Sequence, residues 1–334
     1  MILIYYLKLK MSISIKEQDF FWRQPSLYDI IGKYMKKPII SVIIPVYNRS
    51  NLLKEAVKSV INQNFSDFEL IIADDCSEDD IKSAVETIPK IENISLKYLR
   101  LKKHSGMPGF VRNSGCKIAE GSYIAFLDSD DLWQPDKLEK QFALITNSSK
   151  KAGSIADPGK QDNGNAQNKI SICHTREIWQ RGDKVVSQSS QRHKREGDIF
   201  EDSLVKCIIG PSTVIMERGL FENYGGFRED LEIAEDYELW LRITASVPVA
   251  YIDLPLVIKR AGDWEQLSEK YGQIEIFRIN ALKQLVENSF FKPDKMALAK
   301  KVLSEKCGIY AAGCRKRRKV NEALFYEEIA GTML

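Results

Sequence analysis

Ser122-Tyr123-Ile124-Ala125-Phe126-Leu127 is a short apolar run that ends abruptly at Asp128-Ser129-Asp130-Asp131. A run this short, without polar alternation and bounded by turn residues, reads as a strand buried on both faces. The same pattern repeats toward the N-terminus. Ser95–Leu101 reads as a strand, Phe68–Ala73 (FELIIA) as another, and Ile39–Val46 (IISVIIPV) as the first. Between them lie stretches of helical period. Ser50 or Asn51 caps a helix whose apolar residues are Leu52, Leu53, Ala56, Val57, Val60 and Ile61. Ile81–Ile88 and Pro108–Ala119 read as two more, and Pro135 opens a fourth with Leu138, Phe142 and Ile145 on one face. Four short strands alternating with helices predict an α/β fold with a mostly parallel sheet flanked by helices. Ligands of such sheets bind beyond the carboxyl ends of the strands. The polar clusters after Val46, Ala73 and Leu127 are therefore the places to look for chemistry.

The rest of the chain is organised differently. Residues 1–37 form a mixed polar and aromatic lead-in, and 38–265 form the main domain. Within it, Asn147–Lys169 is rich in Ser, Lys, Gly, Asn and Gln and predicts a flexible surface loop. Isolated strands are expected near 170–175 and 213–217 and a helix near 236–245, with irregular loops over 176–210 and 255–266. Residues 266–334 read as a helical appendage, with amphipathic segments near 270–288, 294–313 and 319–330. Forty-nine Lys and Arg against 46 Asp and Glu give too small an excess for a nucleic-acid binder. The six cysteines form no CxxC pair, which fits free thiols in a reducing compartment. Met1–Leu9 is apolar but too short to span a bilayer. The expectation is a cytoplasmic protein, with the inner face of the membrane as a peripheral location. The basic runs Arg192–Arg195 and Arg315–Lys319 read first as solvated faces, and otherwise as contacts for a phospholipid surface.

Asp128, Asp130 and Asp131 crowd one strand end, where their mutual repulsion costs stability unless a cation offsets it. All-oxygen ligands suit Mg²⁺ or Mn²⁺. The plainer reading makes Asp128 and Ser129 a turn and Asp131 a helix cap. Asp74-Asp75 closes the second strand, offering a carboxylate to a base or ribose, or an Asx-turn. Pro45-Val46-Tyr47-Asn48 closes the first, and Tyr47 presents a ring face for stacking. Arg112 follows a small-residue turn and suits phosphate or base contacts. Asp236 opens a helix, as a cap or as a general base. The sequence has no P-loop, GxGxxG or GxSxG, which removes support from ATPase, dehydrogenase and hydrolase readings.

In this order, SVIIPVYNR, FELIIADDCS, RNSG…AEGSYIAFLDSDDLW and GGF…AEDYELWLR resemble the family 2 glycosyltransferases, over about Pro38–Arg260. The resemblance implies the GT-A fold, Rossmann-like, and inverting transfer from a nucleotide sugar, a UDP-sugar first, to an acceptor saccharide, lipid-linked saccharide or protein. Polysaccharide or glycoconjugate biosynthesis is the implied setting. It implies a nucleotide-sugar site of Pro45, Tyr47, Asn48, Asp75, Arg112, Asp128 and Asp130, with Tyr47 stacking on the base and Asp75 bonded to it. Asp130 and Asp131 would hold the metal, and Asp236 would be the catalytic base. Lys259–Glu265 (KRAGDWE) departs from the Gly-Gly-His-like stretch of related sequences. A nucleotidyltransferase is the alternative, but Tyr47-Asn48-Arg49 lacks a Gly-rich triphosphate loop. An inactive nucleotide-sugar-binding protein is the other.

Overall fold

Strand β1 (Ile40–Val46) pairs in parallel with β2 (Phe68–Asp74) on one side and β4 (Tyr123–Phe126) on the other, and β2 pairs in parallel with β3 (Ser95–Arg100). This computed structural model describes residues 37–88, 94–153, 170–182, 184–186, 194–261 and 274–333. Almost all of the lead-in, residues 154–169 of the expected loop, Arg192-His193 and the segment 262–273 lie outside them.

The apolar runs are continuous because both faces of the sheet are covered. Ile40, Val42, Ile44 and Val46 point into one cluster, with Phe68, Leu70 and Ile72 beside them. Helix α1 (Ser50–Ile61) packs there through Leu53, Ala56, Val57 and Val60, and α2 (Ile81–Glu86) through Ile81 and Val85. Ile43 and Ile71 point the other way, into a cluster that includes Phe126, Phe227 and Trp240. Helix α3 (Pro108–Lys117) lies on that side and comes very close. A Cβ at Gly115 would stand 2.7 Å from Ile43 Cγ2, so only glycine permits the approach.

Beyond β4 the sheet becomes mixed. After β3-β2-β1-β4 its order continues with β8 (Ile215–Glu217), β6 (Ile172–Arg181), β9 (Ala250–Ala261) and β5 (Leu132–Trp133), with β7 (Lys184–Val186) on β6. Strand β8 runs antiparallel to β4 and to β6. Strand β9 runs parallel to β6, and β5 antiparallel to β9. The hairpin strand β7 completes it.

This half corrects three expectations. Residues 176–181 and 255–261 are strand, not irregular loop, because β6 and β9 pair as a long ribbon; Arg176-Glu177 and Gln180-Arg181 break the apolar pattern of β6, and Pro255 interrupts that of β9. Helix α4 (Lys137–Gly153) continues seven residues into the segment read as loop, 147–153. Two short helices went unread, α5 (Phe200–Val205) and α6 (Arg218–Asn223).

Helix α7 (Glu235–Thr244) follows, and then α8 (Ile274–Glu287), α9 (Pro293–Lys316) and α10 (Val320–Thr332). Pro38–Leu334 form one compact unit. The three C-terminal helices share a core with α5 and α7: Phe200, Leu204, Tyr237 and Leu241 pack with Leu282, Leu303, Cys307 and Tyr326. Among the described residues no helix is long and apolar enough to cross a membrane.

Candidate active site

The carboxyl ends of β1, β2 and β4 lie on one edge of the sheet, and each turn there is built by its own polar residues. After β2 the two aspartates divide the work. Asp74, fully buried, accepts from Ser77 N (2.9 Å), Tyr98 Oη (2.7 Å) and Arg100 Nη1 (2.9 Å). It is the Asx-turn that closes the strand. Asp75 faces the loop that leads from β3 to α3. It accepts from Ser105 N at 2.9 Å and Gly106 N at 3.0 Å, and His104 Nδ1 stands 2.9 Å from its Oδ2. The His104 ring stacks on Tyr47, centroids 3.8 Å apart and 17° from parallel. Asn48, at φ +50°, is fixed by its N–H to Ser77 Oγ and by its Oδ1, which accepts from Glu78 N. Pro45, half-buried, ends β1 beside Ala73.

After β4 the three aspartates are held apart by different partners. Asp128 Oδ1 receives Arg112 Nη2 at 2.6 Å, and Asp130 Oδ2 receives Arg49 Nη1 at 2.7 Å. Asp131 is buried, its Oδ2 taking Ser212 Oγ (2.7 Å) and its Oδ1 taking Arg260 N (3.2 Å). The Ser212 hydroxyl also accepts from Asp128 N at 3.1 Å, so one serine ties two of the acidic residues.

That serine stands on a short 3₁₀ turn (Pro211–Thr213) clamped from below. Trp133 Nε1 donates to Ser212 O at 2.8 Å, and Gln141 Nε2 to Thr213 O at 2.9 Å. Lys137 lies 4.1 Å from the Trp133 ring centroid and donates to Gln141 Oε1. Burial without a carboxylate partner pushes its pKa down to about 7.

Arg112 joins this edge to the start of α7. Its Nη1 reaches Glu235 Oε1 at 2.6 Å while Nη2 holds Asp128, and Phe227 lies beneath it at 5.4 Å. Burial opposes the Arg112 charge, but Asp128 and Glu235 outweigh it and raise its pKa. Burial raises Glu235 to about 7, against the pull of Arg112 and with the push of Asp236. Asp236 is half-buried in the first turn of α7. Its Oδ1 accepts from Tyr237 N (2.7 Å) and its Oδ2 from Cys207 Sγ (3.5 Å). Helix α7 begins where it does because Ala234 sits in the left-handed region at φ +66°.

Two more cations complete the rim. The register that pairs Leu132 with Ile258 sets Lys259 and Arg260 beside Asp130 and Asp131. Arg260 Nε donates to Asp130 O at 2.6 Å. Burial works against the Lys259 charge, yet Glu177, Asp131, Asp128 and Asp236 prevail and raise its pKa. Burial tends to raise Asp128 as well, but Arg112 and Lys259 hold it below the usual carboxylate range. Asp131 is raised, by burial first and then by Asp128 and Asp130, against Lys259.

Among the described residues no three acidic, histidine or cysteine side chains gather as a ready-made metal cage. The donor set still fits Mg²⁺ or Mn²⁺. Such ions bind through one or two carboxylates plus substrate phosphates; the Asp130 side chain is 13% exposed, and Asp131, buried beside it, has about four acceptor positions of which Ser212 Oγ and Arg260 N take two. A cleft of about 580 Å³ lies elsewhere, lined by Gly225–Asp230, Glu238, Arg242 and part of α8, and touches none of these aspartates.

The structure thus brings Arg112, Asp128, Asp130, Asp131 and the start of α7 together, and groups Tyr47, Asn48 and Asp75 on the neighbouring turns. Sequence reasoning missed Arg49, Ser212, Glu235, Lys259, Arg260 and Cys207. Glu235 was legible from its place beside Asp236, whereas a lone serine in Gly210-Pro211-Ser212 carries no signal.

The profile of glycosyl transferase family 2 matches residues 41–224, over half of the 334-residue chain. An uncharacterized glycosyltransferase of Rickettsia conorii is 36% identical over 219 residues, covering 65% of this chain; the chain spans about a third (32%) of that relative's length. The UDP-Glc:alpha-D-GlcNAc-diphosphoundecaprenol beta-1,3-glucosyltransferase WfgD of Escherichia coli is 27% identical, over 66% of this chain and 76% of its own. In fold, the chain is similar to S. aureus TarS 1–349, solved in complex with UDP, with a TM-score of 0.55 at 19% identity over 86% of this chain and 90% of that one.

Proposed function

The chain belongs to glycosyl transferase family 2 and has the GT-A fold, and from that premise we propose that it transfers a sugar from a nucleoside-diphosphate sugar to an acceptor hydroxyl with inversion. The observation that carries this reading is the chain Asp128–Arg112–Glu235, with both links at 2.6 Å. It puts the acidic strand end and Asp236 on one rim, although they lie over a hundred positions apart in sequence.

Tyr47 and Asp75 take the base, with Pro45 and Asn48 shaping the turn beside them. Asp128 and Asp130 face the ribose and diphosphate, and Asp130 and Asp131 are the residues that would hold Mg²⁺ or Mn²⁺. Bound there, the ion offsets charge on the departing diphosphate. Arg112 serves the nucleotide by fixing Asp128 in place. Asp236 takes the proton from the acceptor hydroxyl, held by Tyr237 N so that its carboxylate does not turn away. A positioned base of this kind contributes on the order of 10²–10⁴-fold. Lys259 and Arg260 are cations already at the rim and add to the hold on a diphosphate.

The Escherichia coli relative is named for a UDP-glucose donor and a diphosphoundecaprenol-linked acceptor. The same classes are proposed here: a UDP-sugar, and a lipid-linked saccharide in polysaccharide assembly. That acceptor would bring the protein to the inner face of the membrane.

The test is a thermal-shift series of nucleotide sugars with and without Mn²⁺, beside turnover by Asp236→Asn. One donor is expected to raise the melting temperature only with metal. Asp236→Asn is expected to bind that donor as the wild type does and to transfer nothing. Wild-type turnover by the variant would remove Asp236 from the mechanism.

A further inference from the structure

The two contacts proposed for the nucleobase are already made, by the protein itself. His104 presents a flat ring to Tyr47 at 3.8 Å and 17°. Its Nδ1 stands 2.9 Å from Asp75 Oδ2. The same nitrogen lies 3.3 Å from the Asp75 backbone O, so one aromatic ring lies on Tyr47 and, in the tautomer protonated at Nδ1, offers an N–H to Asp75. A base bound as proposed would do the same.

Both cannot be there together. Rings 3.8 Å apart are in van der Waals contact, and a third ring between them needs about twice that spacing. Nor is His104 locked in. Its side chain is 45% exposed whereas that of Asp75 is 5% exposed, so the ring has a path to solvent and the carboxylate does not. Among the described residues, apart from the bond that Ser105 Oγ accepts from Met107 N, the bonds that tie residues 102–106 to the rest of the protein end on Asp75 and the Tyr47 ring. Gly106, at φ +67°, makes the turn that folds the loop back, and a Cβ there would lie 3.7 Å from His104 Nε2.

Resting on the donor-site reading above, we propose that His104 is a stand-in for the nucleobase and that the donor enters by exchange. The base replaces the imidazole on Tyr47 and Asp75, and the imidazole turns out to solvent. The exchange is one for one. A carboxylate has about four acceptor positions, so the bonds from Ser105 N and Gly106 N persist while one ring N–H leaves and another arrives. His104 therefore selects for a base that carries a ring N–H, such as uracil, and sets the affinity that such a base must exceed. No bond is made or broken covalently.

The experiment is calorimetric titration of the full chain with UDP in Mg²⁺, for wild type, His104→Ala, Tyr47→Ala and Asp75→Asn. Because His104 is exposed, its removal is not expected to disturb folding. His104→Ala should bind UDP about three- to tenfold more tightly, the range of a lost competing ring contact. Tyr47→Ala and Asp75→Asn should bind it more weakly. A second readout is modification of wild-type His104 by diethyl pyrocarbonate, located by mass spectrometry, which should rise when UDP is added. Weaker UDP binding by His104→Ala, or protection of His104 by UDP, would show the imidazole to be a contact for the base and overturn the exchange. If instead Tyr47→Ala and Asp75→Asn leave UDP affinity untouched, the base binds elsewhere and the donor-site reading falls first, taking the exchange with it.

Discussion

Removing the Arg112 guanidinium should be among the most damaging single changes outside the hydrophobic core. It donates to Asp128 and Glu235 at 2.6 Å each and is itself 5% exposed. A bond between charged groups contributes about 1.5–3 kcal/mol, and breaking a buried pair leaves an uncompensated charge that costs about 3–5 kcal/mol. Glu235 is 6% exposed and, with its pKa already raised to about 7, takes up a proton once Arg112 is gone, so it incurs only the lower part of that cost near neutral pH, whereas the Asp128 side chain is 25% exposed and part of its loss is screened by solvent. Arg112→Ala is therefore expected to lose about 3–4 kcal/mol, with the contact to Phe227 included. At about 2–4 °C per kcal/mol for a large domain, the melting temperature should fall by roughly 6–16 °C. Arg112→Lys should recover less than half, since one ammonium cannot fork to two carboxylates. The assay is thermal and urea unfolding by circular dichroism, run as a double-mutant cycle with Glu235→Gln. Neutralising Glu235 removes the stranded charge, so Arg112→Ala should cost less in that background. Equal costs in both backgrounds, or a variant that melts with the wild type, would refute the view of Arg112 as the tie between the two acidic elements.

Ser212→Ala leaves Asp131 Oδ2 and Asp128 N without the hydroxyl that serves both, and should lower stability in urea by about 1–3 kcal/mol; an unchanged urea midpoint would mean the hydroxyl is dispensable. Glu69 governs an acid limb. Burial tends to raise its pKa, but Lys97, Ser41 and the Glu120 N–H outweigh burial and hold it below the usual value. A depressed carboxylate contributes its stability in full above the unfolded pKa of about 4.3 and loses it as the pH falls through the folded value. Glu69→Gln should accordingly melt lower than wild type at neutral pH and close the gap below about pH 4. Curves that stay parallel from pH 7 to the acid limit would dismiss Glu69 as the source.

The parallel half of the sheet was readable because burial on both faces forces apolar residues into all positions of β1 and β2 but Ser41, Glu69 and Asp74. The mixed half was not. In β6 the stretch Arg176-Glu177-Ile178-Trp179-Gln180-Arg181 is two-thirds polar, and only its long pairing with β9 makes it a strand. The candidate site divides in the same way. Asp128, Asp130, Asp131 and Asp236 announce themselves by charge density at element ends. Lys259 and Arg260 reach the rim through a strand register that local pattern does not encode. Asp74 and Asp75 were readable as a pair but not in their separate duties, which depend on Tyr98, Arg100 and the 104–106 loop arriving from elsewhere.

Helix α7 is shared between two interiors. Leu239, Trp240 and Ile243 face the sheet, while Tyr237 and Leu241 face the C-terminal helices, and the Tyr237 hydroxyl fastens to Leu204 O at 2.6 Å. Asp236 sits one residue from that tyrosine. Recombination between relatives at Ile274, where α8 begins, would set a foreign tail against a native α7. Swaps that also exchange Tyr237, Leu241 and the α5 positions Phe200 and Leu204 should retain transfer, and swaps that leave them behind should tilt the helix that presents the carboxylate. The tail and the proposed proton acceptor are, for a protein engineer, a single inherited part.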